Sequence, residues 1–139
     1  MDADAQGLGT HASEISRGMV TLMKQMTGRG PIKARTTIGR DHVLVMLHEV
    51  LTHTDRMLVG AGENAMVHAT RQKIQELMRP DAKRLVEQTL QREVVGFMSA
   101  NEFDPDMACE VFVLSPIGAD SAAPVSEDEV RSDSDDPIR

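Results

Sequence analysis

The run from His42 to Glu49 holds five consecutive apolar residues, Val43 to Leu47, two of them β-branched, and reads as a strand with Val43, Val45 and Leu47 on one face and His42, Leu44, Met46 and His48 on the other. Ile32–Ile38, with Ile32, Thr36, Thr37 and Ile38, reads as a second strand one short turn away, Gly39-Arg40-Asp41. The two therefore form an antiparallel hairpin. Val94–Ser99 and Met107–Leu114 make another such pair across the loop Asn101–Asp106. Strands that come in adjacent pairs, without strand–helix–strand alternation, define an antiparallel sheet.

Helical periodicity fills the rest. Ile15, Met19, Leu22 and Met26 share one face of a helix expected over Ser13–Thr27, with Ser13 as N-cap and Gly28 just past its end. Thr52-His53-Thr54-Asp55 opens a short helix through a variant capping box, and Gly60-Ala61-Gly62 closes it. Glu63–Met78 is a longer helix with Val67, Ile74, Leu77 and Met78 inward, and Asp81–Gln91 continues it with Leu85 and Leu90 inward. Pro80 is expected to kink or restart it, having no N–H to donate. The order is α-β-β-α-α-β-β, an α+β domain with helices on one face of two hairpins. Its sheet-side core is expected to include Val43, Val45, Leu47, Val95, Phe97, Phe112 and Leu114.

The boundaries follow from composition. Residues 1–12 read as a flexible leader, 13–117 as the domain and 118–139 as a disordered acidic tail. Of the net charge of −7, residues 120–139 carry −5, and a segment so charged and poor in apolar residues cannot bury enough surface to order itself. The acidic balance argues against a nucleic-acid binder. With three Phe, no Trp and no Tyr, the chain has no aromatic platform for sugars or stacked bases, and its ten Met give a soft, adaptable core. No apolar run reaches the roughly 20 residues of a spanning helix, so direct membrane insertion is not expected. One cysteine, Cys109, permits no internal disulfide and is read as a buried, inert thiol. The start, Met1-Asp2-Ala3-Asp4, has neither the basic nor the apolar region of a signal peptide. The expected location is the cytoplasm, at most peripheral to the inner face of the membrane.

No phosphate-binding loop, zinc signature or nucleophile elbow is present. His11, His42, His48, His53 and His68 match no metal spacing. Glu102, Asp104 and Asp106 lack the spacing of a calcium loop. Ser99 and Ser115 have no evident base. The reading is therefore of no catalytic residue, no metal and no cofactor. One cluster stands out. Gly28-Arg29-Gly30-Pro31 makes a corner at the rim between the first helix and first strand, and Lys33 and Arg35 follow on one strand face, with Arg40 beyond. A planar anion or a carboxylate-rich partner surface suits such a set. The other reading is a simple corner with a solvated polar face.

The joint pattern Gly28-Arg29-Gly30-Pro31 with Lys33, strand Val43–Leu47, Leu51-Thr52, Gly60-Ala61-Gly62, Arg71, Val95-x-Phe97-Met98-Ser99 and Glu110-Val111-Phe112-Val113-Leu114 resembles the MpsC family over about residues 13–116. The chain departs from the family pattern at His53-Thr54 and at Pro80. The resemblance implies a component of a sodium-translocating system that generates membrane potential, and it brings no reaction with it. The expected function is a non-enzymatic accessory or regulatory module partnered with a membrane subunit. The alternative is a small-anion or nucleotide sensor using Arg29, Lys33 and Arg35. A homodimer is also expected, because two hairpins leave edge strands to protect and Met19, Met23 and Met26 exceed what one helix face needs.

Overall fold

The computed structural model describes residues 2–117. The expectation of a disordered tail at 118–139 lies outside them. The element order is α1 (Asp2–Thr27), β1 (Lys33–Ile38), β2 (His42–His48), α2 (His53–Gly60), α3 (Asn64–Leu90), β3 (Val94–Phe103) and β4 (Asp106–Leu114). This is the α+β arrangement expected. The antiparallel sheet runs β1-β2-β4-β3, so β2 and β4 are central and each hairpin contributes one edge.

Helix α1 begins at Asp2, well before the expected start, so Ser13 lies within the helix and is not its cap. Its buried stripe is Ile15, Met19 and Met23, spaced by four, while Met26 is 38% exposed. Met23 therefore takes the place expected of Met26, and Met19 and Met23 serve the core instead of an interface. Gly28 ends the helix with φ of 81° and donates its N–H to the Lys24 carbonyl at 2.8 Å. That left-handed conformation is the one a Cβ disfavours. Gly18 answers a different need. A Cβ there would come within 2.6 Å of both Leu85 methyls, so its absence lets α1 close on α3.

Helix α2 has the expected capping box: Asp55 N–H donates to Thr52 Oγ1, and Thr52 N–H to Asp55 Oδ2, both at 3.0 Å. Helix α3 runs through Pro80 without a restart. Its buried positions Val67, Arg71, Gln75, Met78, Ala82 and Val86 lie on both sides of the proline, so packing holds both halves in one helix. The same stripe corrects the expected inward face. Leu77 is 62% exposed, and Arg71 and Gln75 are inside.

The β3–β4 pairing runs out to Phe103 opposite Asp106, which reduces the expected loop to a turn at Asp104-Pro105. Near its start β3 carries an irregularity between Val94 and Gly96. One extra residue shifts the parity, so Val94 is buried while Val95 is 55% exposed. Val95 thus leaves the expected core and Val94 enters it. The other expected core residues, Val43, Val45, Leu47, Phe97, Phe112 and Leu114, are buried in one cluster with Ile15, Met19, Met78 and Val86. Phe97 and Phe112 meet as a tilted ring pair with centroids 5.0 Å apart.

Among the described residues, the other sheet face is not covered by a helix. Its rows follow from the register. Thr37, Leu44, Val111 and Met98 lie side by side; next come Arg35, Met46, Cys109 and Ala100; then Lys33, His48, Met107 and Glu102. Cys109 is therefore half-buried on this face and not in the core.

Candidate functional site

A polar seam crosses the layer between α3 and the sheet. Ala108, Phe112 and Leu114 set the inward parity of β4, and Glu110 shares it, so its carboxylate is carried fully inside. On the neighbouring strand Ser99 stands directly opposite Glu110 and donates its hydroxyl to Glu110 Oε1. Gln75 reaches down from α3 and donates Nε2 to Glu110 Oε2 at 3.1 Å. Gln75 and Asn101 also exchange a reciprocal pair of amide hydrogen bonds, each 3.0 Å. One turn earlier on α3, Arg71 is completely buried, with Asp55 Oδ2 at 3.7 Å from its Nη1. Its guanidinium makes no hydrogen bond within the described structure.

Burial dominates the electrostatics here. It raises the Glu110 carboxyl from 4.5 to about 7, against the opposing pull of Ser99, Gln75 and the Arg71 charge. It lowers the pKa of Arg71, whose charge is supported by Asp55, Glu110 and Asp106 in that order. Burial also raises the Cys109 thiol, and the adjacent Glu110 charge adds to this, so both oppose formation of the thiolate. A small cleft of about 220 Å³, lined by Gln72, Gln75, Glu76, Arg79, Phe97 and Ser99, opens over the seam. Arg79 stretches across Phe97, with Cζ 5.3 Å from the ring centroid, and donates to the Phe97 carbonyl at 2.9 Å. The seam can hold or release one proton near neutral pH.

The basic cluster read from the sequence divides. Arg29 turns inward along the surface and donates Nη1 to the carbonyls of Leu51, at 2.6 Å, and Glu49, at 3.1 Å. It fastens the Gly28–Pro31 corner to the connection between β2 and α2. The same connection is held from the opposite side by Asp106, whose carboxylate accepts from the N–H groups of Val50, at 2.9 Å, and Leu51, at 3.2 Å. The Asp106 carbonyl accepts from Glu49 N–H at 2.8 Å, where Glu49 adopts φ of 59°. Asp106, read in sequence as part of a loop acid group, is thus a backbone latch.

Lys33 and Arg35 are exposed on β1. They line a concavity of about 410 Å³ along the free edge of that strand, together with Ser13, Ser16, Arg17 and Thr36. Gly28, Arg29, Gly30 and Pro31 are not part of it, so the two halves of the expected site are not brought together. Helix α1 supplies Arg17 instead, a cation the sequence reading did not include in the cluster.

Sequence reasoning missed Arg71, Gln75 and Glu110 as a unit, and a signal for them existed. Glu110 falls on the inward parity of β4 between the apolar Ala108 and Phe112, and Arg71 and Gln75 fall on the helical repeat that begins at Val67 and leads to Met78. A charge in core register is the informative exception to hydrophobic patterning. Among the described residues no group of three or more His, Cys, Asp and Glu side chains is placed to hold a metal ion, and no helix is long and apolar enough to cross a membrane.

No curated protein and no solved structure matches the chain. Residues 8–116 match the family described as Na+-translocating membrane potential-generating system (MpsC), a span that takes in both hairpins, the Arg29 corner and the whole polar seam. The chain belongs to the MpsC family.

Proposed function

We propose that the protein is a non-enzymatic accessory or regulatory module of a membrane system that moves sodium ions and sets membrane potential. The observation that carries this reading is the family match, which spans nearly all of the α+β unit. Passage of an ion through a bilayer requires spanning helices or a closed barrel. The described residues form neither: their helices are not apolar enough to cross, and their sheet is open at β1 and β3. The module therefore works beside the ion path, on a membrane subunit that forms it.

The test is made in cells that encode the chain. Deletion is expected to reduce the sodium-dependent part of the membrane potential, measured with a potential-sensitive dye. The tagged chain is expected to co-purify, in mild detergent, with an integral membrane subunit of the same system. An unchanged sodium-dependent potential, with no membrane subunit retained, refutes the proposal.

A second reading, a small-anion or nucleotide sensor, is favoured by one observation: the concavity at the β1 edge gathers Arg17, Lys33 and Arg35 beside the hydroxyls of Ser13, Ser16 and Thr36. Cations with hydroxyl donors suit a phosphate or carboxylate. A ligand that binds only the folded chain raises its melting temperature by linkage. A thermal-shift series with phosphate, citrate and nucleotides should show a rise that Arg17→Ala and Arg35→Ala abolish. No shift with any of these anions removes the reading.

A further inference from the structure

We propose that the open face of the sheet is a homodimer interface, with two copies packed sheet against sheet about a twofold axis parallel to the strands. The inference is independent of the function proposed above. It begins with what the face is made of. Its centre is Leu44, Met46, Cys109 and Val111, continued outward by Val113 and Met98, the last 56% exposed. None of these side chains carries a charge. A sheet with one face on a core and the other in water ordinarily shows polar residues on the wet side. Here the outward parity of the two central strands is apolar over Leu44, Met46, Cys109, Val111 and Val113.

The charges sit at the two rims, and they are of opposite sign. Lys33 and Arg35 lie on β1 at one edge, and Glu102 on β3 at the other. Lys33, His48, Met107 and Glu102 form one continuous row across the sheet. A twofold axis parallel to the strands exchanges left for right and preserves height. It lays β1 over the partner's β3 and β2 over the partner's β4. Lys33 then faces the partner's Glu102, and the apolar centres of Leu44 and Met46 meet the partner's Val111 and Cys109. The other in-plane axis, perpendicular to the strands, would lay β1 over β1 and bring like charges together. The Lys33–Glu102 row thus makes the face complementary to itself at that end, with Arg35 over the neutral Ala100, and selects one of the two arrangements.

The area suits a dimer in reversible exchange with the monomer. Four strands spaced by about 4.8 Å, over about seven residues at roughly 3.3 Å each, give a face of about 450 Å². Two such faces bury about 900 Å², the size of a weak, reversible interface. The methionines suit it as well, since they repack against a facing sheet.

The test is sedimentation equilibrium of the full chain at micromolar concentrations, with circular dichroism as the control for folding. A species of twice 15.2 kDa is expected. Val111→Glu and Met46→Lys should each give a folded monomer. Glu102→Lys alone, or Lys33→Glu alone, should weaken the dimer by about tenfold, because each contact occurs twice. The two reversals combined should restore it. The reversals lie on exposed rims, so they decide the matter even where a central substitution unfolds the chain. A monomeric full chain overturns the proposal. So does a dimer that survives both central substitutions, or one indifferent to the single reversals. A chain ending at residue 117 that dimerises where the full chain does not would assign the face to the acidic segment after it, and would overturn the proposal too.

Discussion

Replacing Glu110 by glutamine should make the protein more stable at pH 8 and leave it nearly unchanged near pH 4.5. The amide is isosteric with the carboxyl. Its NH2 can donate to the Ser99 hydroxyl and its oxygen can accept from Gln75, so both contacts of Glu110 survive. What changes is the charge. In the folded state the Glu110 carboxyl titrates at about 7, against 4.5 for the free group, because burial disfavours its ionised form. The unfolded chain therefore loses this proton first as the pH rises, and stability falls wherever the unfolded state binds fewer protons. Below pH 4.5 the group is neutral in both states and costs nothing. Between 4.5 and about 7 the penalty grows, and above about 7 it is constant. At 1.36 kcal/mol per unit, it levels off at about 3 kcal/mol. The assay is urea denaturation of both proteins across this range, followed by circular dichroism. The difference between them should open from near zero at pH 4.5 to about 3 kcal/mol in favour of Glu110→Gln at pH 8. A variant less stable than the parent at pH 8, with a parallel pH profile, would show that Glu110 is ionised and held by Arg71, and would refute the reasoning.

Three further substitutions test other parts of the structure. Phe112→Ala removes a fully buried ring that meets Phe97 in the core and should cost about 3–5 kcal/mol in chemical denaturation; a cost below about 1 kcal/mol would place that strand face at the surface. Arg29→Ala should lower stability by about 1–3 kcal/mol, the worth of charge-assisted bonds to two carbonyls; a loss under about 0.5 kcal/mol would make Arg29 an ordinary surface residue. Thr52→Ala breaks the capping box of α2 and should cost about 1 kcal/mol, whereas Thr52→Ser should cost a fraction of that; equal losses for the two would exclude the cap as the cause.

Period and punctuation carried most of the fold into the sequence. The apolar run from Val43 to Leu47, the hairpin turn at Gly39, the Thr52–Asp55 box and the Gly28 stop were all legible, because each expresses a local rule. What escaped was decided by partners distant in the chain. Val95 and Val94 are indistinguishable by type, and only the pairing with β4 reveals the irregularity that turns one in and the other out. Pro80 looked like a break because local chemistry opposes helix there, while the core contacts of Met78 and Ala82 on its two sides override it. Met23 replaced Met26 because α1 had to face both β1 and α3. Of the basic cluster, Lys33 and Arg35 were correctly placed together on one strand face. Arg29 was separated from them by two carbonyls, at Glu49 and Leu51, that no motif announces.

The latch at Asp106 bears on the order in which the chain folds. The N–H groups of Val50 and Leu51 find their acceptor 56 and 55 residues further on. No local contact can replace that carboxylate, so closing the connection must wait until β4 has docked against β2 and the loop-closure entropy of the intervening chain has been met. Helix α2 can nucleate early on its own cap, whereas the latch on the connection that leads into it forms only once β4 is in place. Substitutions at Asp106 should then accelerate unfolding while leaving the folding rate almost untouched, the behaviour of a contact absent from the transition state.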